Sequence, residues 1–96
     1  MTKREEILST ASQLISVDRE AEYGTPQNNF KVVRDLWMAY LGSIGVPAGN
    51  LEVTDVPIML ALLKLARTIT GYPKFDTYTD MAGYIALAGE IALEDF

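Results

Sequence analysis

Apolar residues recur at helical spacing in four stretches of the chain, and between them the pattern breaks at Gly, Pro and Asn. Thr2 and Glu5 read as a capping box that opens a first helix over 3–17. Its apolar stripe is Ile7, Leu8, Ala11, Leu14 and Ile15, and Asp18 falls on the same line one turn on, its carboxylate aimed at the bundle. The segment "DREAEYGTPQNN" breaks the periodicity. Thr25 followed by Pro26 is an N-cap with Pro at the first helical position, starting a second helix that runs to about 41. Phe30, Val33, Leu36, Trp37, Tyr40 and Leu41 form its expected buried side, and Gly42 is the stop signal.

A turn-rich connection, "GSIGVPAGN", leads to a third helix capped by Thr54 and ending near Thr70–Gly71. With successive residues 100° apart, Ile58, Met59, Leu62, Leu65, Ala66 and Ile69 gather on one face, the expected core side. Lys64 and Arg67 fall opposite, with Pro57, Leu60, Ala61 and Thr68. That second face holds no Glu, Asp or Gln, so it is poorer in polar groups than a solvated face and predicts a cover of some kind. "GYPKFDTYTD" reads as a loop before a fourth helix ending near 92. On this helix Asp80, Gly83, Tyr84, Leu87 and Ile91 share a face, and Ala82, Ala86 and Gly89 make a stripe of small residues. Such a stripe permits close backbone approach, either within one chain or between copies. No alternating strand pattern and no repeat competes with this reading. The expected fold is all-α: one compact four-helix bundle-like domain over 1–96, assembled as a homo-oligomer.

Composition narrows the chemistry. Apolar residues make up 49% of the 96 residues, too many for a disordered chain, and the net charge of −5 argues against duplex nucleic acid or an anionic membrane surface as partner. With no Cys and no His, Ser-His and Cys-His catalysis and ordinary zinc sites are excluded. No cofactor or metal is expected. The start lacks the apolar core of a signal peptide, and the longest charge-free run is broken by Gly and Pro, so a cytoplasmic location is expected.

Three groups of residues could carry function. Lys64 and Arg67 read either as structural cations, as members of an ion pair with Asp80 or Asp18, or as a phosphate or carboxylate seat, which Arg's planar fork suits. In "EYGTPQNNF", Gly24 allows a tight turn, Tyr23 can stack on a base, and Asn28 and Asn29 offer donors and acceptors to a heterocycle. The same stretch also reads as a capped turn and nothing more. The acidic residues do not form the paired E-x-x-E and E-x-x-D motifs of a helical Mg-dependent pyrophosphohydrolase: Asp35 is the only acid of the second helix and Asp55 of the third.

The pieces "DREAEYGTPQNNF", "LWMAYLG", "TDVPIMLALLKLAR" and "DMAGYIALAGE" give the chain a resemblance to a family of small uncharacterised all-α proteins of tailed phages and prophages. It is more loosely similar to phage nucleotide-modification-associated domains. The resemblance implies a phage context in a bacterial host cell and brings no established catalytic residues. Small helical phage proteins include ones that sequester nucleotide signals of bacterial immunity, an analogy of size and context. The expected function is therefore non-catalytic binding of a phosphorylated nucleotide-like molecule. Arg19, Lys64 and Arg67 would hold phosphate, and Tyr23 and Tyr84 would stack on the base. Asn28 and Asn29 would read its edge beside the Gly24 turn, supported by Asp18 and Asp80. The alternatives are an Mg-dependent nucleoside triphosphate pyrophosphohydrolase and an adaptor that occupies a host protein through Trp37, Tyr40 and the fourth helix.

Overall fold

The structure, a computed structural model, describes residues 1–20 and 24–94. Among them are four α-helices, α1 (Lys3–Leu14), α2 (Pro26–Ser43), α3 (Asp55–Thr70) and α4 (Phe75–Glu94), with a 3-10 turn at Val17–Arg19 and no strand. The all-α reading holds.

Local capping explains two helix starts. The Glu5 N–H donates to Thr2 Oγ1 at 3.2 Å, and the Thr2 N–H donates back to Glu5 Oε1 at 2.9 Å. These bonds hold the Glu5 carboxyl below its ordinary value of 4.5, the Thr2 backbone N–H contributing most and its hydroxyl next. A carboxyl depressed in the folded state stabilises the helix start fully above 4.5, and that contribution is lost as pH falls through the folded value. A chemical-shift titration should place the Glu5 midpoint below 4.5, with Thr2→Ala raising it; an unmoved midpoint would refute the capping box. At α2, the Asn28 N–H donates to Thr25 Oγ1 at 3.3 Å and Pro26 occupies the first position.

Two expected boundaries move, and one expected cap does not form. The first helix stops at Leu14, because the chain turns at Ile15 and re-forms a single 3-10 turn. Thr54 has no side-chain capping bond; Asp55 Oδ2 instead accepts from the Glu52 N–H at 2.8 Å. The loop expected over 71–80 shrinks to 71–74, and α4 starts at Phe75.

α3 and α4 form an antiparallel hairpin, the most extensive contact in the chain; α1 lies on α4, and α2 touches α3 only slightly. Gly83 lets α1 approach: a Cβ there would lie 3.2 Å from Ile15 Cγ2. The core is Phe30 of α2, Val56 of α3 and Ile91 of α4, with Val33, Trp37, Val53, Leu60 and Leu87 packed around it. Leu36 and Tyr40, expected inside, are exposed, since α2 meets its neighbours along one narrow line. The radius of gyration is 14.8 Å, against about 12.5 Å for a compact domain of this length. The single chain is therefore more open than the expected compact bundle.

The faces of α3 are reversed from expectation. Val56, Pro57 and Ala61 are buried, and Leu60, Lys64 and Thr68 are half-buried, all on the side facing α4. Ile58, Met59, Leu62, Leu65 and Ile69, the expected core face, are exposed. The four-residue connection at 71–74 fixes which face α4 can reach, and small Ala61 with the charge on Lys64 matches what α4 presents. Of the small-residue stripe of α4, Ala82 is half-buried, Ala86 is exposed, and a Cβ on Gly89 would meet nothing within 4 Å.

Candidate functional site

The hairpin brings Lys64 and Asp80 together. The ammonium Nζ lies 2.8 Å from Asp80 Oδ2, with side chains 15% and 31% exposed, so the pair is mostly withdrawn from water. Of the readings open for Lys64, the ion pair is the one realised. Arg67, one turn on, is exposed and has no ion-pair partner among the described residues.

On one side of this pair lies a basic cavity of about 410 Å³, lined by Lys64, Arg67, Lys74, Tyr72, Asp76 and Asp80 among others. Three cations face two carboxylates, and the first turn of α4 supplies the N–H end of a 20-residue helix at the rim. Lys74 and Tyr72 were missed in the sequence because "GYPKFD" reads as a connection. An aromatic residue and a cation in the short connection that follows the helix of Arg67 were the available signal.

On the other side lies a cavity of mixed character, about 340 Å³. Four expected site residues line it: Arg19 from the 3-10 turn, Gly24 from the following loop, Asn29 from the first turns of α2 and Tyr84 from α4. Its apolar walls are Leu14, Ile15, Phe30, Leu60 and Leu87. Gly24 adopts φ 81°, a left-handed conformation that favours glycine. An adjoining recess of about 250 Å³ shares Arg19, Tyr84 and Leu87 with it and reaches Asp80. Asp80 therefore borders both the basic cavity and this recess.

Other expectations fail or fall outside this arrangement. Tyr23 lies outside the described residues. Asn28 is exposed on α2 and lines neither cavity, whereas its neighbour Asn29, also exposed, lies at the wall of the second. Asp18 does not point at the bundle: α1 has ended before it, and the 3-10 turn leaves it exposed. The start of α2 is also a poorer anion seat than expected. Pro26 has no N–H, and that of Asn28 is taken by Thr25, which leaves the Gln27 N–H. Lys64 and Arg67 thus occupy a different cavity from Arg19 and Asn29, and Asp80 borders the first of these and the recess that adjoins the second.

A family model described as a domain of unknown function (DUF6378) matches residues 6–92, nearly the whole helical array. The chain belongs to this family. It is 39% identical over 83 residues to the Gene 55 protein of Mycobacterium phage D29, covering 83% of this chain and 49% of that protein. It is 32% identical over 89 residues to the Gene 55 protein of Mycobacterium phage L5, covering 93% and 54%. The chain thus spans about half the length of these curated relatives. No solved structure matches. The family members named here are phage proteins, which supports the phage context; the looser likeness to nucleotide-modification-associated domains gains no support from them. No helix among the described residues is long and apolar enough to cross a membrane.

Proposed function

We propose that this DUF6378 protein binds and sequesters a phosphorylated, nucleotide-like small molecule without transforming it, acting as an assembly of identical chains in a phage counter-defence role. The observation that carries this reading is the position of Asp80, which borders a basic cavity and also a recess lined by Arg19, Tyr84 and apolar residues that adjoins the cavity holding Asn29. A nucleotide has the same division, an anionic end and a flat heterocycle joined by a hydroxylated sugar. Arg67 and Lys74 take the phosphate, Arg67 with charge-assisted hydrogen bonds. The heterocycle lies against Tyr84 and the apolar walls, with Asn29 at its edge. Asp80 accepts from the sugar hydroxyls while holding Lys64 in place. Cavities of this size suit such a ligand. Sequestration asks for affinity alone, and the phage relatives supply the setting in which removing a host signal is useful.

A thermal-shift screen against linear and cyclic nucleotides tests this. A ligand present at a hundred times its Kd adds about 2.7 kcal/mol, enough to raise Tm by several degrees. Arg67→Ala should weaken the stabilising nucleotide by about 10-fold or more, the worth of one charge-assisted hydrogen bond, while the variant stays folded because Arg67 is exposed. No response to any nucleotide would end the proposal, and turnover of the nucleotide with Mg²⁺ would replace it with the hydrolase reading.

A further inference from the structure

Helix α3 turns its more apolar face outward. Ile58, Met59, Leu62, Leu63, Leu65 and Ile69 spread over an arc of about 160° on the helical wheel, and all are exposed, Leu62 at 57% and Ile69 at 79%. After Asp55 in the first turn, no charged residue falls within the arc; Arg67 stands at its margin. An amphipathic helix normally buries the stripe this face presents. The whole chain shows the same deficit. It exposes 6925 Å², whereas a folded monomer of this size exposes about 5,500 Å².

We infer that this face of α3 is the contact surface between copies of this chain. The surplus of roughly 1,400 Å² lies within the 1,000–2,500 Å² or so that each subunit of an obligate homodimer buries. The face suits its own image: a contact between like copies must be self-complementary, and a predominantly apolar arc meets that condition without paired charges. The small-residue stripe of α4 is not required for it. Since Arg67 flanks the arc, a second copy comes to rest at the rim of the basic cavity.

The test needs no ligand, so it succeeds or fails separately from the proposed function. Native mass spectrometry at micromolar concentration should give more than one subunit for the unaltered chain and one for Leu62→Glu, whose circular dichroism stays helical. The chain lacks cysteine, so Leu62→Cys and Gln13→Cys each place a single thiol, the second on the exposed side of α1. The thiol at 62 should react with a maleimide at least about tenfold more slowly than that at 13, because access limits a covered thiol. This readout decides the matter even if Leu62→Glu fails to fold. A single-subunit mass for the unaltered chain, or a thiol at 62 that reacts as fast as that at 13, overturns the inference.

Discussion

Asp80→Ala is expected to lower stability by about 2–3 kcal/mol in urea unfolding, a large loss for a chain of this size. The carboxylate is the counter-ion of Lys64, whose side chain is only 15% exposed. Deleting it leaves an ammonium in the α3–α4 seam with nothing to offset its lost hydration. Breaking a fully buried pair costs about 3–5 kcal/mol. The lower figure allows for the 31% exposure of Asp80, which lets water reach the site. The two partners should not be equivalent. Lys64→Met keeps the aliphatic stem packed and leaves a carboxylate that can still reach water, so it should cost about 1 kcal/mol. The Lys64→Met/Asp80→Ala double variant should then be more stable than Asp80→Ala alone. Variants are compared at one protein concentration, since assembly adds to apparent stability. An Asp80→Ala protein within about 0.5 kcal/mol of the parent would show the pair to be a solvated surface contact.

Phe30→Ala should cost more, about 3–4 kcal/mol, the usual penalty for emptying a buried aromatic site. Phe30 is the buried residue of α2 and contributes that helix's side chain to the cluster with Val56 and Ile91. Because α2 touches α3 only slightly, the loss should fall unevenly. Amide exchange over 26–43 should accelerate strongly while that over the α3–α4 hairpin changes less. Equal acceleration in both regions would show that the array unfolds as one unit.

Features set by near neighbours were legible in the sequence. The Thr2–Glu5 box and the Thr25–Pro26 start depend on residues three positions apart or fewer, and both form as read. Arg19, Gly24 and Asn29 converge because a short turn delivers them together, and the face of α4 that carries Tyr84 meets them. The orientation of α3 was not legible for a physical reason. Periodicity ranks two faces by apolarity, but the tight connection to α4 and the Lys64–Asp80 pair decide which face a neighbour in the same chain can reach. The same inversion explains why Lys64 and Arg67 left the cavity of Arg19 and entered one shared with Lys74 and Tyr72. Asp18 was misplaced by extending a helical wheel past the point where α1 stops.

The chain has one tryptophan, Trp37, and it packs half-buried against the cluster where α2 meets α3 and α4. The protein therefore carries an intrinsic optical gauge at its least extensive helix junction. With selective excitation, emission from this single indole follows the seating of α2 without an added dye. The wavelength of that emission separates a seated helix from one that has swung into water.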